Sequence, residues 1–404
     1  MCCKESYTGE QGQYIEGDNL DTYSAEVIVS GAGPAGATVA YQLARSGASV
    51  LLLEKERLPR YKTCGGGITA KCARLLDFDI SPVVERTIMG VTVTNRLAPA
   101  ITWRSDEPLC YMVMRDRFDH LLVHKAQEAG ARVLEGTTVK AVEVSDEGVA
   151  VTTRDGRRFQ GRVVVGADGA NGVVARNLGL AREGTVGIGL ESEVRVASQD
   201  LDAWHDRVLL DMAVLKHGYG WIFPKADHLS IGVGGPSDDT PLVKQYSARF
   251  TNYCRSILGQ YEVVHSQGHR LPVRPAGLPI HTQRGLLVGD AAGMVNPLDG
   301  EGIYYAISSG QIAATAILKA LAGDAPLDFS EYQRDIDAQI TVELHRAAQL
   351  VKIYGCAPWF FAWLIAHSSR LRSAILRLVR GEMRYSDIPA SLGPLRWLLE
   401  RSPT

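Results

Sequence analysis

Read from its sequence, the chain is predicted to be an α/β protein. A Rossmann-like nucleotide-binding domain is interrupted by an inserted antiparallel-sheet domain and followed by a helical C-terminal segment. Three observations carry that expectation. The stretch VIVSGAGPAGATVAYQLARSGASVLLLEKE, from Val27, runs from a β-branched segment through a Gly-rich turn and an apolar-periodic helix to a second apolar strand, the order of a βαβ unit. From about residue 184 to 275 the chain turns strand-rich and aromatic (GIGLESEVRV, GYGWIFP, LSIGVGG). A strand, a Gly-rich turn and a long Ala-rich helix then return at RGLLVGDAAGMVNPLDGEGIYYAISSGQIAATAILKAL.

Taken in order, residues 1–24 (MCCKESYTGEQGQYIEGDNLDTYS) are polar with no apolar h-region, and read as a disordered tail rather than a signal peptide or a first strand. Acylation of Cys2 or Cys3 would call for a flanking basic cluster or amphipathic helix, and neither is there. The nucleotide-binding domain is expected over 25–183 and 276–328, the inserted sheet domain over 184–275, and helices from 329 to 404. Within the first part, the loop PRYKTCGGGIT leads to a helix ending near Leu76 and a strand at Gly90 to Thr94. A helix opening at RDRFDHLL and strands around an Asp155-Gly156 hairpin turn follow, ending in a β-rich run to Gly166. One amphipathic helix is expected in the inserted domain, at Val243 to Leu258. The longest apolar run, Trp359 to Ala366, is far short of the ~20 residues of a membrane-spanning helix.

Composition bounds the partners. With 404 residues there is chain for two or three domains. Lys and Arg number 43 against 45 Asp and Glu, a net charge of −2, so the basic excess expected of a nucleic-acid binder is missing. Seven cysteines, an odd number without paired spacing, indicate neither a disulfide framework nor a zinc site, and no metal is expected. A reducing, cytoplasmic setting follows, with or without membrane association. Glycine, at 41 residues, is about 10% of the chain against a usual ~7%.

Several of those glycines have assignable work. Gly31, Gly33 and Gly36 stand in GxGxxG spacing between a strand and a helix. Gly31 permits the tight turn, Gly33 lets the backbone approach a pyrophosphate, and Gly36 allows close helix–strand packing. Glu54 ends the second strand, 18 residues past Gly36, where an acid accepts the ribose hydroxyls of an adenine nucleotide. Packing glycines and an exposed strand-end charge are the plainer alternative. NAD and FAD share this fingerprint, and the choice rests on two later elements, VVGADGANG (Val164 to Gly172) and LLVGDAAGMVNPLDGEGI (Leu286 to Ile303).

With those elements the chain resembles the p-hydroxybenzoate-hydroxylase-like FAD superfamily and, within it, the geranylgeranyl reductase family. The resemblance is carried by PRYKTCGGGIT, GADGANG, GYGWIFP, GDAAGMVNPLDGEGIYYA and the late GEMRYSDI, which span about residues 25 to 388. It implies FAD as cofactor. Asp290 would bond the ribitol, the turn Gly300, Gly302 and Ile303 would face the isoalloxazine, and Arg115 would lie near the ribityl and pyrophosphate. Ala35, Gly65, Gly67 and Val139 are the further cofactor contacts expected. Cys64 would sit beside the flavin, either in proton delivery and substrate positioning or as a structural thiol. Tyr219, Trp221 and Phe223 alternate to one face of a strand and would make an aromatic wall for an isoprenoid chain, with Tyr219 and Trp221 counted in the catalytic set; a sheet-packing stripe is the alternative. Gly172 departs from the Ser more usual in the Asp-Gly element, which leaves Asp168 a structural role. Arg370, Arg372, Arg377 and Arg380, with the nearby aromatics, form either an interfacial segment meeting anionic lipid or a helical lid.

The function implied is reduction of double bonds in a geranylgeranyl group, on a lipid, a diphosphate, a chlorophyll precursor or a quinone tail, by hydride from reduced flavin N5. The electron donor would be NADPH or a ferredoxin-type protein. A second dinucleotide fingerprint is missing, since GVGG at Gly232 lies in a strand pattern, so NADPH would bind transiently. An aromatic monooxygenase of the same superfamily is the alternative enzyme. A non-catalytic prenyl-binding protein is a third reading, which three retained flavin motifs disfavour.

Overall fold

The computed structural model describes residues 23–98, 101–180, 185–275, 277–323 and 325–388. Most of the expected N-terminal tail therefore lies outside the described residues. Its last two do not: β1 runs Tyr23–Ser30, because Tyr23 and Ser24 continue its parallel pairing onto Phe159 and Gln160.

The first sheet joins β1, β2 (Val50–Leu53), β8 (Arg132–Leu134), β9 (Val139–Val144), β10 (Val149–Thr153), β11 (Arg158–Gly166) and β17 (Gly285–Leu287). Its order is β8-β2-β1-β11-β10-β9, with β17 parallel to the end of β11. The parallel core strands are apolar on both faces: β2 is buried at every position, and Val27, Ile28, Val29 and Val163 to Val165 are fully enclosed. Helices α1 (Pro34–Arg45), α3 (Arg115–Glu128) and α7 (Ile303–Leu321) cover it. Small residues let α1 and α7 approach: a Cβ on Gly310 would lie 2.8 Å from the Ala35 carbonyl oxygen.

The second sheet runs β16-β12-β15-β14-β13-β5-β6. Its strands are β12 (Thr185–Arg195), β13 (Arg207–Met212), β14 (Tyr219–Pro224), β15 (Leu229–Pro236) and β16 (Glu262–Val273), extended by β5 (Gly90–Asn95) and β6 (Ile101–Arg104). Those last two correct the expected layout, since they lie within the segment assigned to the first domain yet build the inserted sheet. The pairing of β5 with β13 is parallel, so the sheet is mixed rather than wholly antiparallel. The reason is non-local: Gly90 to Asn95 find their hydrogen-bonding partners at Arg207 to Met212. A small third sheet, β3 (Gly67–Thr69), β7 (Cys110–Val113) and β4 (Val84–Ile88), bridges the two large ones.

Short helices α2 (Ala70–Ala73), α4 (Val174–Asn177) and α5 (Ser198–Asp202) punctuate the loops, and α2 stops well before Leu76. Helix α6 (Thr240–Leu258) packs Val243, Tyr246, Phe250, Cys254 and Leu258 onto one face of the second sheet. Gly220 makes that approach possible, for a Cβ there would lie 2.7 Å from the Tyr246 hydroxyl. The opposite face is thereby left for the first domain. The chain finishes with α8 (Ser330–Ile336), a π-helical turn, α9 (Val342–Cys356), α10 (Pro358–His367) and α11 (Ser369–Arg380).

Candidate functional site

The Gly-rich turn after β1 shows why each glycine is needed. Gly31 has φ of 102°, and a Cβ on it would lie 2.4 Å from the Ala167 carbonyl oxygen. A Cβ on Gly36 would lie 1.9 Å from the Gly31 oxygen. At Gly33 the nearest atom is the Arg60 guanidinium, 3.9 Å away, so this face of the turn is open. Gly33 also N-caps α1 without a side-chain cap, leaving its first N–H groups available to an anion. Ala35 is buried in the first turn of α1, close to Gly289.

Glu54 does more than end a strand. One carboxylate oxygen accepts from the Ala32 N–H at 2.7 Å and the other from the Glu56 N–H at 3.1 Å, so it pins the turn to β2. Arg60 crosses this mouth, 2.9 Å from Asp119 and 3.6 Å from Glu54. Arg115 grips the same Asp119 through two bonds of 2.8 and 2.9 Å. Burial opposes the charge on Arg115, but Asp119 outweighs it and holds the guanidinium protonated. Asp119 and Glu54 balance the two arginines and hold them in place, and the Arg60 guanidinium, the atom group nearest the open side of Gly33, is set to meet a pyrophosphate. Arg60 was not singled out in the sequence, because an Arg in a loop carries no local signal.

Asp290 opens the short helix after β17, beside Gly302. His269 of β16 lies 3.8 Å from its carboxylate, and the Lys62 ammonium lies 2.8 Å from the same imidazole. Burial pushes Asp290 up, yet His269 and Lys62 outweigh it and keep its pKa below the ordinary carboxylate value. Burial, with Arg115 adding to it, brings Lys62 down to about 8, against the pull of Asp290. Helix α7 begins at Gly302 and Ile303; Gly302 offers no side-chain cap, and the Glu301 carboxylate accepts from the Tyr304 N–H at 3.1 Å, which leaves the Ile303 N–H facing this region. Gly300 has φ of 71°, and a Cβ there would find only the Tyr219 hydroxyl, at 3.6 Å. The uncapped start of α1, an open glycine at each turn and an ionised Asp290 fit the pyrophosphate, ribitol and ring of FAD.

Facing this turn is the second sheet, whose register sets three cross-strand rows. His269, Gly189, Gly234 and Tyr219 form the first; Gln267, Glu191, Gly232 and Trp221 the second; His265, Glu193, Ser230 and Phe223 the third. Tyr219, Trp221 and Phe223 do share one face, with ring centroids 6.0 and 6.2 Å apart. The Trp221 indole lies over Gly232, where a Cβ would come within 2.2 Å of it. Its Nε1 donates to Ser230 Oγ at 3.3 Å, and Ser230 donates to Glu191 at 2.6 Å. Tyr219 donates its hydroxyl hydrogen to the Asp299 carbonyl at 2.6 Å, tying the wall to the Gly300 turn.

The Cys64 loop closes the other side. Gly65 is obligatory, since a Cβ would strike the Phe223 ring at 2.7 Å. The fully enclosed Lys225 donates to the Gly65 and Val113 carbonyls, each at 2.8 Å, and so fixes the loop carrying Cys64. The Cys64 thiol accepts from the Gly66 N–H at 3.4 Å and lies within reach of Arg115. Lys225 directly follows the aromatic motif; its role is invisible until the loop is folded against it.

Other expected residues fall at the margin. Val139 starts β9 with its side chain in the core, next to Thr137, whose N–H donates to the Glu54 carbonyl at 2.7 Å. Gly67 pairs with Met112 at the start of β3. Asp168 accepts from the Val173 and Val174 N–H groups at 2.6 and 3.1 Å. Its carboxylate fills the place a Gly172 side chain would take, 2.0 Å from the Cβ position, which explains the glycine there. The late GEMRYSDI motif acts as a latch: Tyr385 donates to Asp299 at 2.9 Å, and its N–H reaches Glu343 at 2.8 Å.

Comparison with known proteins agrees with this geometry. A family model described as an FAD binding domain matches residues 24–335. The chain is 32% identical over 323 residues to a geranylgeranyl diphosphate reductase of Rhodobacter capsulatus, covering 75% of this chain and 77% of that protein. It is 34% identical over 317 residues to a menaquinone reductase of Mycobacterium tuberculosis, covering 72% and 76%. Among solved structures, a geranylgeranyl bacteriochlorophyll reductase-like protein from Thermoplasma acidophilum superposes with a TM-score of 0.78 over 93% of this chain and 100% of that one. At 21% identity that likeness shows the fold alone.

Proposed function

This chain belongs to the geranylgeranyl reductase family of FAD-binding oxidoreductases acting on CH–CH groups, and from that membership we propose that it hydrogenates isolated double bonds of a geranylgeranyl chain. The observation that carries the reading is the aromatic wall of Tyr219, Trp221 and Phe223 set opposite the Asp290 and Gly300 turns, with the Cys64 loop packed on Phe223. Bound FAD would supply the redox chemistry, as the source of a hydride equivalent for the alkene. The protein does the rest. Arg60, Arg115 and the α1 N-terminus would hold the pyrophosphate, Asp290 the ribitol, and the turn at Gly300 and Gly302 the ring. An unactivated alkene has no carbonyl to take up negative charge, so orientation and exclusion of water weigh heavily. The aromatic wall provides both for a prenyl chain, whether carried on a lipid, a diphosphate, a chlorophyll precursor or a quinone tail. The donor is a nicotinamide or ferredoxin-type reductant that visits transiently.

The deciding experiment is anaerobic. Holoenzyme reduced with dithionite is mixed with geranylgeranyl diphosphate while flavin absorbance is followed and the product weighed. Reoxidation with gain of hydrogen pairs is expected. No anaerobic reoxidation, with rapid turnover in air to a hydroxylated product, would mean an aromatic monooxygenase instead.

The proposal extends to a membrane surface met from the cytoplasm. Among the described residues no single helix is long and apolar enough to cross a membrane. Helix α10 nevertheless exposes Trp359, Phe360 and Trp363, each at least 41% accessible, and Arg370 and Arg377 of α11 are exposed beside them. Arg372 and Arg380 contribute less, being bonded to the Ala366 carbonyl and to Ser105. Aromatics at headgroup depth flanked by arginines suit an anionic lipid surface, where a long prenyl substrate resides. Replacing Trp359 and Trp363 by Ser is expected to lower co-sedimentation with phosphatidylglycerol vesicles at least about tenfold. Unchanged sedimentation would assign the helix to a lid.

A further inference from the structure

Glu191 and Glu193 sit two residues apart on one face of β12, ~7 Å along the strand, and both are buried, at 3% and 5% exposure. Buried carboxyls in such a pair cannot both ionise cheaply. One Glu191 oxygen accepts from Ser230; the other is enclosed and has no hydrogen-bond partner. Around it stand the Cys64 backbone N–H, the Lys225 ammonium and the Tyr61 phenol from the loops, Gln267 and His265 from β16, and Ser230 and Trp221 from β15 and β14. Burial first, then Glu193, pushes the Glu191 pKa up.

This pair is not isolated from water. The His228 Nε2 lies 3.1 Å from Glu193 Oε2 as a close charge pair in which neither atom makes a hydrogen bond, and the other imidazole nitrogen is 2.7 Å from Asp227. Side-chain exposure falls stepwise along this line, from 83% at Asp227 to 16% at His228 and 6% at Glu193. Burial opposes protonation of His228, but Glu193 and Asp227 outweigh it and raise its pKa. A graded series of titratable groups thus leads from solvent to a carboxyl beneath Cys64 and Trp221.

We propose that Asp227, His228, Glu193 and Glu191 form a proton-delivery path from the rim of the second sheet to the base of the aromatic wall, with Glu191 holding the proton that completes each reduction. It rests on the prenyl-reductase reading above. Each saturated double bond takes a hydride from the cofactor, already reduced by a nicotinamide or ferredoxin-class donor, and one proton from Glu191. The carboxylate left on Glu191 is refilled through the Ser230 hydroxyl, which donates to it and stands opposite Glu193 in the register. Ser230 takes its proton back from Glu193, Glu193 from the His228 imidazolium, and His228 from water at Asp227. A dry site needs such a route, because bulk water cannot be both excluded and the proton source.

The test uses oxidised and reduced holoenzyme. In the infrared, wild type at neutral pH is expected to show a protonated-carboxyl C=O band that Glu191→Gln removes. In His228→Ala the shift of that band on transfer to D₂O is expected to slow at least about tenfold and to recover with added imidazole. Glu191→Gln, with its FAD content and visible spectrum intact, is expected to be reoxidised by geranylgeranyl diphosphate about 100-fold more slowly, while its reoxidation by ferricyanide is unchanged. A band that persists in Glu191→Gln, an exchange rate indifferent to His228→Ala, or a wild-type rate of prenyl reduction in Glu191→Gln each overturns the path. Should wild type itself fail to reduce the prenyl substrate, the functional reading falls while the infrared measurements still decide the path. Should Glu191→Gln lose FAD, the rim variant His228→Ala carries the exchange test alone.

Discussion

Gly36→Ala is expected to yield protein with less than a tenth of the wild-type FAD content and a markedly lower melting temperature. The added methyl would stand 1.9 Å from the Gly31 carbonyl oxygen and 3.1 Å from its carbon, both backbone atoms that cannot rotate away. Relief means moving α1 off β1, and α1 is also the helix on which α3 and α7 pack. Overpacking of this kind costs about 1–3 kcal/mol, a sizeable part of a typical ~5–15 kcal/mol. Loss of bound cofactor then removes the stabilisation that ligand binding adds. Gly33→Ala is the contrast, because its methyl meets nothing nearer than the Arg60 guanidinium at 3.9 Å. It is expected to weaken FAD binding while leaving the apoprotein's melting temperature near wild type. Flavin-to-protein absorbance ratios and thermal melts of apo and holo forms check both, and equal behaviour of the two variants would contradict the turn geometry described here.

Trp221→Ala is expected to reduce prenyl turnover at least about 100-fold while FAD content stays above half. The indole is 8% exposed, lies over Gly232 and separates Tyr219 from Phe223. Truncating a buried Trp costs about 3–5 kcal/mol through lost burial and the cavity left behind, so some loss of melting temperature is expected as well. Ser230→Ala separates packing from orientation. It keeps the indole and its burial but removes both the acceptor of Nε1–H and the donor to Glu191, so stability is expected to fall by about 1–3 kcal/mol while KM for the prenyl substrate rises. Equal proportional loss of FAD and of turnover in Trp221→Ala would reduce the aromatic row to sheet packing.

How far these residues were legible in the sequence depends on how far apart their partners lie. The tight turn at Gly31 and the close packing at Gly36 follow from a turn of six residues, and both positions are crowded against backbone while Gly33 stays open. The common face of Tyr219, Trp221 and Phe223 follows from the two-residue period of a strand. Glu54 follows β2, and its bond to the Ala32 N–H was not anticipated because it spans 22 residues. Lys62 and His269 are 207 residues apart and carry no motif in common. The Tyr385 latch onto Asp299 spans 86 residues, and only its result, a short motif near the end of the chain, was visible.

The same division explains the domain layout. Local pattern identified the strand at Gly90, yet which sheet it would enter was settled by its hydrogen bonds to β13, more than a hundred residues later. Gly172, an unexplained departure in the sequence, became a requirement once the Asp168 carboxylate was seen to occupy its side-chain space.

From its residues alone the chain specified a nucleotide-binding βαβ turn, an aromatic strand face and the order of its flavin motifs. Each depends on backbone geometry repeating over two to six residues, which any reader of the sequence can count. Folding alone brought Arg60 and Arg115 onto one Asp119, Lys62 and His269 beside Asp290, and Glu191 under Cys64 with a line of acids and a histidine leading outward. Charges and hydrogen bonds act over a few ångströms of space, whatever their separation along the chain, so their partners are chosen only when the two sheets close on each other.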